Sequence, residues 1–356
     1  MFTFALHYYI YRMIHFQCDY SEGCHPLIME ALRKTNMEQT IGYGEDPYCE
    51  AARSAIKRAV GREDVDVHFL VGGTQANTTV ITSILRPHQG VLAPVTGHIN
   101  VHETGAIEHA GHRVLALPCC NGKITASQIE EAVTSHRAED GPEHSVQPGM
   151  VYISFPTEVG SVYSLEELRS ISAVCRNNGL PFFIDGARLG YGLCSPGCDV
   201  TMGDIAQLCD VFYIGGTKVG ALFGEAVVIV NDDLKKDFRY FIKQEGGMLA
   251  KGRLLGVQFL TLFSDNLYLA ISQHAIDMAM MIKEGLKQMG KTFFSDSNTN
   301  QQFVVLDNNT IKRLERDFVL SLWKKVDENH TVVRFCTSWA TQEENVKKLL
   351  LAIKND

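Results

Sequence analysis

The sequence has no long run of lysine or arginine, no Cys-x-x-Cys pair with metal-finger spacing, and no apolar stretch as long as a membrane-crossing helix. The first lack, with a formal net charge of -8 from 33 basic and 41 acidic side chains, argues against nucleic acid or an anionic membrane as the main partner. A small anionic ligand needs only a few local cations. The second leaves ten cysteines without a metal role. They lie scattered in apolar stretches (Cys49, Cys175, Cys209, Cys336) apart from the pair Cys119-Cys120, as buried thiols of a reducing compartment do, so the expected location is cytoplasmic. Closest to a membrane span are the first sixteen residues, MFTFALHYYIYRMIHF, but His7, Arg12 and His15 interrupt them and no small-residue cleavage site follows. Residues 1–15 read as an N-terminal arm. The dinucleotide pattern GxGxxG and the nucleotide pattern GxxxxGK[ST] are also missing, which removes the main support for either ligand.

With 356 residues, 45% of them hydrophobic, the chain can bury a large core and form one big domain and a smaller one. Short β-branched or aromatic runs at 67–71, 90–94, 113–117, 150–155, 180–185, 211–214 and 226–230 alternate with helical-period stretches at 75–85, 125–135, 164–178 and 202–209. That alternation is the signature of βαβ units, hence of an α/β fold with a mostly parallel central sheet. Asn177-Asn178-Gly179 supplies a helix stop before the 180–185 run. Residues 134–148, rich in charge, Gly and Pro, read as a surface loop. A long helical region over 249–289 leads into a smaller C-terminal α+β domain with runs at 303–306 and 331–336 and a helix over 343–354. The expected division is a large domain at 16–255 and a small one at 256–356.

Four stretches carry chemistry. Phe182-Phe183-Ile184-Asp185-Gly186-Ala187-Arg188 is a buried strand ending in an acid, two small residues and a base. Ligands of open α/β sheets bind at that edge. Asp185 there can pair with a protonated pyridine nitrogen, and Gly186 and Ala187 would let a flat ring approach; a helix-capping Asp with Arg188 as its surface partner is the plainer alternative. Tyr213-Ile214-Gly215-Gly216-Thr217-Lys218-Val219-Gly220 runs a strand into a glycine turn with one lysine. A Schiff-base lysine needs a lowered pKa and a cleared approach, though a turn lysine is more often simply exposed. Phe69-Leu70-Val71-Gly72-Gly73-Thr74-Gln75-Ala76-Asn77 opens a helix whose first N–H groups suit a phosphate monoester, or is a plain turn. Thr96-Gly97-His98-Ile99-Asn100-Val101-His102-Glu103 offers an imidazole to stack on a ring and move a proton. His98, His102 and Glu103 as a metal site is the weaker reading, because HINVHE lacks the second-position Glu of HExxH; no metal is expected.

In order and spacing, GGTQAN, GHINVHETGA, FFIDGARLG and GGTKVG resemble the low-specificity L-threonine aldolases. These belong to the beta-eliminating lyase group of the pyridoxal-phosphate fold type I (aspartate aminotransferase-like) superfamily. The resemblance runs from about Phe16 onward and includes the early GYGEDPY and the late VVRFCTSWAT. It implies a three-layer fold with the cofactor pyridoxal 5'-phosphate held covalently by Lys218, Asp185 on its pyridine nitrogen and His98 on its face. Gly73 and Thr74 would cradle the phosphate, helped by Thr217. Arg188 and Arg334 look like the cations for the substrate carboxylate, which suits an Arg fork.

The implied reaction is retro-aldol cleavage of L-threonine or L-allo-threonine to glycine and acetaldehyde, in threonine breakdown and glycine supply. The implied assembly is a homo-oligomer, dimer or tetramer, in which Tyr43 and Lys251 or Arg253 reach a neighbour's site. Two positions depart from the family pattern. Glu158, in Phe155-Pro156-Thr157-Glu158, stands where many of these enzymes carry a histidine near the substrate hydroxyl, and acts as base only if burial tunes it. Cys18-Asp19-Tyr20 stands where Ser-Asp is common, so at Cys18, counted among the substrate-binding positions, the family's serine contact to the carboxylate is absent or made by the backbone. The alternatives are β-elimination or racemisation on the same cofactor, or a cofactor-binding oligomer that has lost catalysis.

Overall fold

The structure, a computed structural model, describes residues 13–354. Most of the N-terminal arm expected at 1–15 therefore lies outside the described residues. Its last part, strand β1 (Ile14–His15), pairs in parallel with a strand near the C-terminus.

Seven strands make the central sheet: β2 (Asp66–Leu70), β3 (Gln89–Pro94), β4 (Arg113–Leu117), β5 (Gln147–Ser154), β6 (Phe182–Asp185), β7 (Val211–Gly215) and β8 (Glu225–Ile229). Their order is β2-β8-β7-β6-β5-β3-β4, and every pairing is parallel except those of β8 with β2 and β7. β6, β7 and β8 are buried along their whole length, the unbroken apolar run of a strand covered on both faces. On one face Ile153, Ile184, Phe212 and Val228 pack against helices that include Pro47–Val60 and Leu165–Asn178. On the other, Tyr152, Phe183, Tyr213 and Val227 pack against the helix Gly73–Ile84. Helix, sheet and helix form the three layers.

The helices between the parallel strands have legible ends. Ser164 with Glu167 and Thr201 with Asp204 form reciprocal capping boxes, each satisfying two backbone donors that the first turn leaves open. Gly179, at φ 69°, ends the first of these helices in the left-handed conformation, as the Asn-Asn-Gly stop implies. The surface stretch expected at 134–148 instead completes a helix to Arg137, makes one 3-10 turn and enters β5 at Gln147.

Because six strands share one direction and β8 runs against them, a single sheet edge collects six strand ends and one strand start, and five of those ends lead to the residues of interest. Leu70 leads there to Gly72–Thr74, Pro94 to His98, Ser154 to Glu158, Asp185 to Arg188 and Gly215 to Lys218, while Glu225 opens β8.

The expected long helix at 249–289 is two helices, Arg253–Leu262 and Leu267–Gln288. Asp265 and Asn266 between them are left-handed, at φ 50° and 58°, a conformation that Asp and Asn tolerate and that no α-helix continues through. A second, antiparallel sheet follows: β9 (Phe293–Ser295), β10 (Gln301–Asp307), β12 (Ser321–Lys325) and β13 (His330–Cys336), ordered β12-β13-β10-β9, with β11 (Phe318–Val319) pairing β1. Its core joins Val304, Val333, Phe335 and Leu349 of the helix Glu343–Lys354 to Phe16 and Phe318. The described start of the chain is thus built into this second unit.

Candidate active site

A cavity of about 310 Å³ opens at the collecting edge, lined by Gly73, Thr74, His98, Glu158, Asp185, Arg188, Thr217, Lys218 and Glu225, with Tyr20, Ser154 and Tyr213. Eight residues singled out from the sequence meet there.

Asp185 lies at its floor, buried, and is held by four donors. Oδ1 accepts from the Tyr213 hydroxyl at 2.5 Å and the Ala187 N–H at 3.0 Å; Oδ2 accepts from the Tyr152 hydroxyl at 2.6 Å and Asn77 Nδ2 at 3.1 Å. Burial pushes this carboxyl up, but the His98 charge and the tyrosine hydroxyls outweigh it and hold it below the usual carboxylate value. A buried group kept anionic is what a protonated pyridine nitrogen needs opposite it.

Lys218 leaves β7 through a turn whose backbone is braced: the Tyr191 hydroxyl donates to Lys218 O at 2.6 Å and that of Tyr268 to Gly215 O at 3.0 Å. Burial, then the Arg188 charge, lowers the amine pKa, with Asp19, Asp185 and Glu225 opposing. Glu225 is pushed up to about 8, by burial first, and its Oε2 accepts from Gly216 N. Lysine and acid are thus both drawn toward their neutral forms.

The helix Gly73–Ile84 begins with no side chain capping it, so its first N–H groups, at Gly73 and Thr74, remain open to an anion at the cavity wall. Thr217 lines the same wall. Packing alone demands glycine at 186: a Cβ there would lie 1.9 Å from Tyr213 O, and one on Gly215 2.3 Å from Ala187 O. The ends of β6 and β7 are pressed together, and only glycine fits the contact.

Glu158 Oε1 accepts from the Ser154 hydroxyl at 2.5 Å and from His98 N–H at 2.9 Å. Burial raises its pKa despite both bonds. Arg188 is engaged from within the chain: its Nε and Nη2 bond Oδ2 and Oδ1 of buried Asp19 at 2.6 and 3.0 Å. Burial raises the Asp19 pKa, but the guanidinium and Lys218 more than reverse that. The fork expected for a substrate carboxylate is therefore largely filled by Asp19.

The remaining expected residues lie off the cavity wall. Arg334 donates to Gln301 Oε1 and Gln17 O and stacks 5.2 Å from the Trp323 ring. Its Nε has no partner. Cys18 lies 3.2 Å from the Ser21 hydroxyl. Tyr43, left-handed at φ 59°, sits under the Lys243 ammonium, and Arg253 donates to the Asn36 and Glu38 carbonyls. Neither joins its own chain's cavity. His102 is exposed, 5.5 Å from the His98 ring. Among the described residues no group of three or more His, Cys, Asp or Glu side chains is arranged for a metal.

Asp19, Asn77, Tyr152, Tyr213 and Glu225 were not singled out for the site from the sequence, and Glu103 only as a weaker metal ligand. Only Glu225 carries a local signal, an acid opening an otherwise apolar buried strand. The residue set fits pyridoxal phosphate: an ionised carboxylate for the ring nitrogen, one lysine short of charge, an uncapped helix start for the phosphate and an imidazole at the wall.

A family model described as beta-eliminating lyase matches residues 19–309. A low-specificity L-threonine aldolase from a Pseudomonas species is 29% identical over 346 residues, covering 95% of this chain and 96% of the relative. The solved structure of Leishmania major threonine aldolase is similar with a TM-score of 0.93 at 44% identity, covering 96% of this chain and 99% of that one. Thermus thermophilus aspartate aminotransferase shares the fold alone, with a TM-score of 0.70 at 16% identity over 97% of this chain and 91% of that one.

Proposed function

The chain belongs to the beta-eliminating lyase family, and from that premise we propose that it is a pyridoxal-phosphate enzyme cleaving L-threonine or L-allo-threonine to glycine and acetaldehyde. The observation that carries this reading is the meeting of Lys218, Asp185 and Glu158 at one cavity. They supply a nucleophilic amine, an anion for the ring nitrogen and a base for a hydroxyl. The threonine aldolase relatives, one similar over nearly its whole length at 44% identity, support the same substrate class.

In this reading Lys218 would hold the cofactor's aldehyde carbon, Asp185 its ring nitrogen, and Gly73, Thr74 and Thr217 its phosphate, with His98 at its face. When bound there, the cofactor acts as an electron sink that stabilises a carbanion at the substrate Cα. Lys218, kept short of charge by burial and Arg188, is ready as a nucleophile and afterwards as a base. Arg188, on the cavity wall beside Asp19, and Arg334, off it, attract the carboxylate by their charge, and Cys18 takes the sequence position of the family serine. Glu158 takes the β-hydroxyl proton; as that O–H bond breaks, C=O forms, the Cα–Cβ bond breaks and the aldehyde leaves. A proton returned to Cα completes glycine. Ser154 and the His98 N–H hold the Glu158 carboxylate in place for that transfer.

Two further parts of the reading concern context. The protein acts in the cytosol, which ten free cysteines, four of them buried, support. It works as a dimer or tetramer, supported by large apolar side chains exposed on the segment that carries Tyr43.

The test is the visible spectrum of the purified protein before and after borohydride, with acetaldehyde release from both threonine diastereomers and Lys218→Ala as control. A reducible chromophore absent from the variant, together with acetaldehyde and glycine, is the expected result. A chromophore with 2-oxobutanoate and ammonia released from threonine instead would move the reaction to β-elimination, the chemistry named by the family. No chromophore after added cofactor would overturn the reading.

A further inference from the structure

His98 does not stand alone at the cavity wall. Its Nδ1 lies 2.7 Å from Glu103 Oε1, and the same oxygen accepts from Asn77 Nδ2 at 2.7 Å. That amide nitrogen also donates to Asp185 Oδ2. Both of its neighbours are carboxylates, so the amide has one sensible orientation: reversed, its Oδ1 would face two negative oxygens. The Glu103 side chain is 0% exposed, and an ionised carboxylate only accepts. It therefore holds the His98 proton on Nδ1 and leaves Nε2 for the cavity.

Stability alone does not account for this arrangement. Glu103 Oε2 and Asn77 Oδ1 are buried without partners, and an unpaired buried carboxylate oxygen is costly. The chain turns Glu103 inward through Thr104 at φ 54° and Gly105 at φ 71°, and a β-branched residue is strained in that left-handed region. Costs of this kind collect where geometry serves function.

We propose that Glu103 is the positioning residue for His98, and that Asn77 locks this pair to Asp185. One buried network then sets both the imidazole nitrogen that faces the cavity and the carboxylate at its floor. The inference rests on the aldol-cleavage reading, in which the His98 ring lies against the cofactor's face and presents Nε2 to the cavity.

The experiment compares Glu103→Gln, which keeps the acceptor and removes the charge, with Glu103→Leu, which removes both. In cofactor-free protein the 15N spectrum of His98, assigned by its loss in His98→Phe, should show the proton on Nδ1 in wild type and Glu103→Gln, and mixed tautomers in Glu103→Leu. In the holoenzyme Glu103→Leu should lower kcat about 100-fold with KM little changed, and Glu103→Gln should recover most of that. In a His98→Phe background neither substitution should lower kcat further. Should Glu103→Leu not fold, the vanishing of the smaller Glu103→Gln effect in that background carries the test. An Nδ1 proton retained in Glu103→Leu, or losses that multiply with His98→Phe, would overturn the proposal. A wild type that releases no aldehyde, yet whose His98 tautomer still responds to Glu103→Leu, would sink the proposed reaction and leave the network standing.

Discussion

Glu158 has one carboxyl oxygen committed to Ser154 and the His98 backbone and lines the cavity. Burial raises its pKa, and a base works only when deprotonated, so kcat should fall as pH drops through that raised value. The acidic limb of the profile should thus lie above the ordinary carboxylate range. Glu158→Gln should lose about 10²–10⁴-fold in kcat and flatten that limb; a pH–rate profile with the limb intact in the variant would remove Glu158 from the role.

Glu225 invites a different measurement, on cofactor-free protein. Its folded pKa, about 8 against an ordinary 4.5, means that its contribution to stability is fully present below the unfolded value. It is lost as pH rises through the folded one. Between pH 5 and 8 wild-type stability should decline by up to a few kcal/mol on this account, and Glu225→Gln should lose that slope. Urea denaturation at the two pH values tests it, and equal slopes would refute it.

Among the elements, the ends of β6 and β7 have the least room. Gly186→Ala puts a Cβ 1.9 Å from Tyr213 O, so backbone must shift at the strand carrying Asp185 and at the one leading to Lys218. The cost should reach about 3 kcal/mol and show as a lowered melting temperature together with weaker cofactor retention; unchanged melting would mean the two strand ends are free to separate. These strands were readable from the sequence because they are apolar throughout and their helices end in chemical stops such as Gly179. The helices Pro26–Thr35 and Pro47–Val60 escaped that reading although Asp46 caps the second one. So did the break at Asp265-Asn266, since nothing in the apolar period announces a left-handed pair. The site divides in the same way. Asp185 ends a strand, and Lys218, His98 and Glu158 each follow one within a few residues, where the order of the chain reveals them. Asp19 meets Arg188 from 169 positions away and Asn77 meets Asp185 from 108, pairings that only the folded sheet and the second unit create.

For the whole molecule the exposed apolar side chains matter most. Met37 is 88% and Ile41 69% exposed, and Leu27, Met29 and Tyr43 are also exposed. They lie on the helix Pro26–Thr35 and on the segment after it, whose backbone Arg253 grips at Asn36 and Glu38. So many large apolar groups on one continuous, tethered stretch are the surface that the proposed assembly would cover with another chain. Tyr43, outside its own chain's cavity, is then available to a neighbour's. The proposed assembly predicts complementation. In a symmetric dimer with shared sites, a Lys218→Ala chain lends its intact Tyr43 to a partner bearing Tyr43→Ala but intact Lys218, so one site of each mixed dimer is whole. Equal co-expression should therefore restore about one quarter of wild-type activity from two variants, the first inactive and the second impaired. Light scattering on the mixture must show the dimer or tetramer. If the mixture is no more active than the average of the two separate variants, Tyr43 does not serve a neighbouring site, and the exposed stretch has some other cover.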